Sequence, residues 1–212
     1  ISSVDLLLSK KGVFVFEEPY LDSMFSKVSY DQIYDEHVYN FSVESVKNIF
    51  GDCGLELFDV EELNLQGGSL RYYLGFSGKH KIQNSIKNME ERENIKQLNQ
   101  LETMIEFRTR CELARSNLFN LIDGLCDQGK RVVGYGAATK STIVLNYARI
   151  KRSAIEYMVD STPYKQGKYS PGIHIPIKSP SYFRKNYPDY VVVFPWNHFE
   201  EIRLKEEKNE LI

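Results

Sequence analysis

Lys130-Arg131-Val132-Val133-Gly134-Tyr135-Gly136-Ala137-Ala138-Thr139-Lys140-Ser141 is the stretch on which the fold turns. It reads as a short apolar strand, a tight glycine turn and the first turn of a helix. Val132 and Val133 are β-branched and suit a buried strand. Gly134 and Gly136 let the backbone turn sharply and approach a ligand closely. Ala137, Ala138 and Thr139 open a helix that continues through Ile143, Val144, Leu145 and Tyr147. A helix start carries free N–H groups and the positive end of the dipole, which attract a phosphate, and Lys140 adds a cation there. Gly-x-Gly-Ala is shorter than the full dinucleotide fingerprint. Two readings therefore stand: a plain strand-to-helix turn of an α/β domain, and a phosphate cradle.

Downstream the α/β rhythm repeats. Ala154 to Asp160 reads as a second strand ending in an acid, followed by a loop with Lys165, Gln166 and Gly167 at its tip. Asp160 is placed to meet a ribose hydroxyl or to cap its own turn. Pro171 to Ile177 is a turn into a short extended segment, 179–186 reads as a helix, and Tyr190 to Phe194 as a third strand. Pro195-Trp196-Asn197 leads into a last helix. His174 and His198 read as structural, and His80 falls in a polar linker.

Upstream, Val13-Phe14-Val15-Phe16 is a continuous apolar run, the pattern of a strand buried on both faces, and it ends at Glu17-Glu18-Pro19-Tyr20. In open α/β sheets ligands bind beyond the carboxyl ends of such strands. Next, 30–42 mixes aromatics, acids and a histidine with no clean period. A histidine among acids and phenols can be held as a neutral base; a surface loop with a hydrogen-bonded His37 is the equal alternative. Ser42 is a good N-cap. Val43, Val46, Ile49 and Phe50 then share a helix face that Gly54 closes. Leu55 to Val60 reads as a strand, Gln66-Gly67-Gly68 as a turn, and Ser69 to Phe76 alternates with Leu70, Tyr72, Leu74 and Phe76 on one face. A parallel sheet finished by an antiparallel edge hairpin is the pattern of the last third of a class I methyltransferase. Residues 78–129 are polar and helical, with apolar sets Ile82, Ile86, Met89, then Leu98, Leu101, Ile105, then Leu118, Leu121, Leu125, and read as helices linking two domains.

Composition narrows the classes. The chain has 212 residues, 42% hydrophobic and 26% charged, with a net charge of −2, so no basic surface argues for nucleic acid or an anionic membrane. Three cysteines at 53, 111 and 126 form no Cys-x-x-Cys pair, which fits neither a disulfide framework nor a zinc site and suits the reducing cytoplasm. No apolar run is long enough to span a bilayer, and the start has no signal-peptide pattern. Residue 1 is not Met and the chain opens within an apparent helix, so the sequence reads as a fragment.

An ordered set of motifs then carries a resemblance. Tyr34-Asp35-Glu36-His37 with Phe41-Ser42, Gly67-Gly68-Ser69-Leu70-Arg71, Gly134-Tyr135-Gly136-Ala137 with Lys140, Val159-Asp160, Lys165-Gln166-Gly167, Pro171-Gly172 with Ile175-Pro176-Ile177, Pro188-Asp189-Tyr190 and Trp196-Asn197 resemble the nucleotide-sugar C-methyltransferases of the TDP-4-keto-6-deoxysugar type. The resemblance implies an α/β fold in three parts. Residues 1–77 would end the S-adenosylmethionine-dependent methyltransferase domain, with its Rossmann-like sheet. Residues 78–129 would be a helical linker, and 130–212 most of a second Rossmann-like, nucleotide-sugar-binding domain. It places zinc only in an N-terminal region outside this sequence, and the S-adenosylmethionine site largely outside it too. His37 matches the family's base, Glu36 would orient it or share its proton, and Tyr34 would donate to the oxyanion. Gly134, Tyr135, Gly136, Ala137, Lys140, Asp160, Lys165, Gln166 and Gly167 would hold the nucleotide diphosphate of the sugar substrate. Gln66 stands where the family has His before Gly-Gly-Ser. A non-catalytic nucleotide-sugar-binding module and an NAD-type α/β oxidoreductase stay open beside this, although Gly134 to Thr139 lacks the third glycine of the dinucleotide motif. Oligomeric state, the sugar and the methylated carbon are not legible.

Overall fold

The computed structural model describes residues 2–207. The chain divides into two units, residues 1–110 and 111–212, each with its own sheet. Among the described residues, no helix is long and apolar enough to cross a membrane.

In the first unit, helix α1 (Ser2–Leu7) leads to strand β1 (Phe14–Pro19), helix α2 (Leu21–Lys27), a 3₁₀ turn at Tyr30–Gln32 and helix α3 (Val43–Gly51). Strands β2 (Leu55–Leu63) and β3 (Ser69–Phe76) and helix α4 (Asn84–Ile95) complete its regular elements, together with the start of helix α5 (Leu101–Asp127). The sheet order is β1-β3-β2, with β3 antiparallel to both neighbours. The hairpin strand β3 is thus inserted in the centre rather than left at an edge. Its alternation explains this: Leu70, Tyr72 and Leu74 are fully buried and need cover on both sides. The Phe14–Phe16 run departs from the both-faces-buried reading. Phe14 and Phe16 pack on the core while Val13 and Val15 are exposed, because successive side chains of a strand point to opposite faces.

Ser42 caps α3 as expected. Its hydroxyl accepts from Ser45 N–H, and the Ser45 hydroxyl returns to Ser42 N–H. The two N–H groups this box leaves are taken from 50 and 49 residues downstream by Glu93 of α4, which accepts from Val43 N–H at 2.6 Å and Glu44 N–H at 3.1 Å. The same carboxylate accepts from Tyr20 Oη at 2.9 Å. Burial pushes Glu93 above the usual carboxylate range, against the lowering effect of these hydrogen bonds.

The apolar residues of 78–129 divide between the two cores. Ile86 and Met89 of α4 join the core of the first unit, and Ile122, Leu118 and Leu125 of α5 join the core of the second. Leu98, Leu101 and Ile105 do not share a face: Leu98 is buried against Met24 and Phe25, whereas Leu101 and Ile105 are exposed. Gln97, at φ 52°, breaks the helical path between α4 and α5.

The second unit holds β4 (Val132–Tyr135), α6 (Thr139–Tyr147), β5 (Met158–Val159), β6 (Ile177–Lys178), α7 (Pro180–Lys185), β7 (Tyr190–Val193) and α8 (Phe199–Glu207). All pairings in its sheet, ordered β6-β5-β4-β7, are parallel. The expected α/β class is met. The chain leaves β4 toward β5 on one side and toward β7 on the other, so the carboxyl end of β4 lies at the switch in strand order where α/β sheets bind ligands.

Candidate functional site

Two polar sites sit at strand carboxyl ends, one in each unit. In the first, strand alternation sends Glu17 and Glu18 to opposite faces. Glu17 pairs with Arg71 of β3 at 3.2 Å. Glu18 accepts from His37, with Oε2 2.8 Å from Nδ1. His37 is brought there by a tight turn in which its N–H bonds to Tyr34 O at 2.9 Å, and the Tyr34 ring meets the imidazole edge-on with centroids 4.9 Å apart. The imidazole is 10% exposed, and its Nε2 is buried with no hydrogen-bond partner among the described residues. Burial, followed by the charge of and hydrogen bond to Glu36, raises the Tyr34 phenol above 10.0, with Asp31 and Glu18 adding to it.

The structure sets the Tyr34 ring against the His37 imidazole and gives His37 a carboxylate partner other than Glu36. Glu36 serves Tyr34, while the partner of His37 is Glu18, 19 residues upstream. Sequence neighbours in a turn diverge, so Glu36 does not share the ring nitrogen with the residue beside it. The run ending at Glu17-Glu18-Pro19 was the signal for Glu18.

Two further groups were read as core or passed over. The Tyr72 hydroxyl is buried without a partner among the described residues, and burial, then Glu93 and Glu18, raise its phenol strongly. Gln32 is fully buried with both amide atoms in the same condition. Buried polar atoms are nearly always bonded, so the unpartnered Tyr72 hydroxyl, whose phenol responds to Glu18, and the Gln32 amide stand out. The Gly67–Gly68 loop packs on α2: a Cβ on Gly68, at φ +126°, would fall 2.5 Å from Ser23 Oγ. Lys27 donates to Gly67 O from the same helix. Among the described residues no group of three or more His, Cys, Asp or Glu side chains could hold a metal ion.

In the second unit a cavity of about 340 Å³ opens at the carboxyl ends of β4, β5 and β7, beside Gly136, Ala138, Asp160 and Pro195. Ala137, Asp160, Lys165 and Gln166 meet in a clasp. Asp160 Oδ2 accepts from Ala137 N–H at 3.0 Å and from the Lys165 ammonium at 3.2 Å, and Oδ1 accepts from Thr162 N–H at 2.8 Å. Lys165 also donates to Ala137 O at 2.9 Å. Gln166 Nε2 donates to Asp160 O at 3.0 Å, and Gly167 N–H to Ile177 O at 3.0 Å. Burial raises the Asp160 carboxyl, but the hydrogen bonds from Thr162 and Lys165 overcome this and hold it below 3.8. Of the two roles open to Asp160 in the sequence, this is the turn-capping geometry.

The glycines of the turn are matched by protein neighbours. A Cβ on Gly134 would collide with Met158 and Phe194. Gly136 has φ +89°, and a Cβ there would fall 2.5 Å from Pro195 Cδ. Tyr135 turns away from the glycine turn and donates to Glu206 at 2.8 Å. The Lys140 ammonium lies 5.4 Å from the Trp196 ring centroid, a cation–π distance.

Residues 64–210 match the family described as the C-methyltransferase C-terminal domain. The chain is also 32% identical over 203 residues to C-methyltransferase NovU of Streptomyces niveus, an alignment covering 95% of this chain and 48% of that protein. The chain therefore spans about half the length of the curated relative it matches.

Proposed function

The chain belongs to the C-methyltransferase C-terminal domain family, and on that premise we propose that it is part of an S-adenosylmethionine-dependent enzyme that methylates the carbon next to the ketone of a nucleotide-linked keto-deoxysugar. The observation that carries this reading is the His37 imidazole, held at Nδ1 by Glu18 and presenting a buried, unpartnered Nε2.

A C–H beside a ketone is weakly acidic, so its removal needs a base at the carbon and a donor at the oxygen. The Glu18 carboxylate can only accept, so Nδ1 carries the proton of that hydrogen bond and the Nε2 lone pair is left to take the substrate proton. The Tyr34 phenol stays neutral through its raised pKa, and its one proton goes to Glu36; it would donate to the enolate oxygen by exchanging that bond for the substrate. S-adenosylmethionine, when bound, supplies an electrophilic methyl group. The described residues present the base and not the donor's cradle, and none is assigned to it. The enolate carbon would form the new C–C bond to that methyl as its bond to the sulfonium sulfur breaks, the electron pair remaining on sulfur.

For the second unit we carry forward nucleotide-diphosphate binding at the α6 N-terminus, where Lys140 and the cavity beside Ala138 lie. The clasp would then be the scaffold of that site, with Asp160 and Lys165 shaping the turn. An NAD-type oxidoreductase is the poorer reading, because Gly134-Tyr135-Gly136-Ala137-Ala138-Thr139 lacks the third glycine of the dinucleotide motif.

The deciding experiment uses the full-length protein. His37→Ala is expected to bind TDP in calorimetry as the wild type does, and to exchange the α-proton with deuterated solvent about 10²–10⁴-fold more slowly, the usual contribution of a positioned base. Exchange at the wild-type rate would remove His37 as the base. TDP binding absent while NAD binds tightly would overturn the assignment of the second unit.

A further inference from the structure

Glu18 emerges as a residue of the reaction that neither the motif around His37 nor the family match singles out. We infer that Glu18 is the positioning residue of the base: it fixes the His37 tautomer and ring orientation, and it stabilises the imidazolium once the proton has moved. This rests on the reading of His37 as the base.

Four observations support it. The Nδ1–Oε2 separation is 2.8 Å, a well-formed charge-assisted hydrogen bond. That bond consumes one ring nitrogen and leaves the other buried with no partner among the described residues, whereas a histidine serving only to pin a turn would be satisfied at both. The Tyr34 ring lies edge-on at 4.9 Å and limits rotation of the imidazole. Finally, Glu18 stands on a strand, the last but one residue of β1, while His37 stands on a turn. The rigid element thus carries the orienting group, which supports precise placement of a base. Glu17 is excluded from the role by alternation and by its pairing with Arg71.

The chemistry balances without a further reactant. The C–H pair of electrons moves into the enolate, the proton goes to Nε2, and the positive imidazolium lies against the negative Glu18. The titratable groups that meet this pair are Tyr34, whose ring lies against the imidazole and on which Glu18, Glu36 and Asp31 act, and Tyr72 of β3, on which Glu18 acts. Glu93 of α4 acts on the Tyr72 phenol in turn.

Glu18→Gln tests the inference sharply, since an amide can donate as well as accept. Its N–H can hold Nδ1 unprotonated and put the proton on Nε2, where it disables the base. In the full-length protein, α-proton exchange is expected to fall by about 10²–10⁴-fold with KM for the sugar nucleotide unchanged. Glu18→Asp is expected to recover part of the rate. The second readout is long-range proton–nitrogen spectroscopy on ¹⁵N-histidine-labelled protein, with the His37 signals identified by their loss in His37→Gln. Wild type should show neutral His37 protonated at Nδ1, and Glu18→Gln should shift it toward the Nε2–H form. The pH profile of exchange should move in Glu18→Gln as well, which a merely structural contact would not cause in a folded protein. Wild-type exchange and an unchanged tautomer in Glu18→Gln would overturn the inference while leaving His37 as the base. Wild-type exchange in His37→Gln would overturn the base itself, and this inference with it.

Discussion

At the scale of single residues, the two sites use carboxylates in opposite ways. Glu18 spends one oxygen on His37, whose other ring nitrogen is buried with no partner among the described residues. Asp160 spends both oxygens inside the protein, on Ala137, Thr162 and Lys165. Its carboxyl is held below 3.8 in the folded chain, so it binds a proton more readily when unfolded. A depressed folded pKa contributes stability above the unfolded pKa and loses it as pH falls through the folded one. The second unit should therefore weaken as pH drops below the ordinary carboxylate range. Asp160→Asn should be less stable at neutral pH and should lose that part of the acid dependence, as read by melting temperature against pH for the two proteins. Parallel curves with a constant offset would mean that the carboxylate's charge is irrelevant to the clasp.

Among elements, α3 shows how far local signals reach. Its start at Ser42 and its buried Val43, Val46 and Phe50 are legible because a cap and a 3.6-residue period are written within nine residues. The alternation of β3 is legible for the same reason. What completes these elements is not. The Glu93 carboxylate reaches the α3 N-terminus from 50 residues away, and Glu18 reaches His37 across 19; no local pattern encodes such pairings. The apparent Leu98-Leu101-Ile105 face fails because periodicity cannot see the turn at Gln97. Glu93→Ala should orphan Val43 N–H and the Tyr20 hydroxyl. It should cost at least the roughly 1.5–3 kcal/mol typical of hydrogen bonds to charged groups. The check is denaturant unfolding of Glu93→Ala beside Glu91→Ala, an exposed acid of the same helix that should change stability far less.

For the whole molecule, two sheets and separate cores mean that damage to one unit's core should stay within that unit. Leu74 is fully buried in the first core, and its truncation to alanine should cost about 2–5 kcal/mol. Hydrogen exchange of the intact protein by mass spectrometry should then show faster exchange in peptides from residues 1–110 and unchanged protection in 111–212. Equal loss across both would contradict energetic independence. The class of the fold was readable from strand–turn–helix order, and the closeness of Tyr34 to His37 follows from their place in one turn. The choice between a turn cap and a ligand contact for Asp160 was not, since both place an acid at the end of a strand.

The reach of Glu93 also bears on how the protein is made. A helix whose first N–H groups are completed by a carboxylate 50 residues later leaves the ribosome before its partner has been synthesised. Until α4 emerges, α3 has only the Ser42 box, and closing so long a loop carries an entropic cost that local contacts do not repay. The first unit should therefore gain its final protection late, in one step, when residue 93 clears the exit tunnel, rather than element by element as β1, α3, β2 and β3 appear.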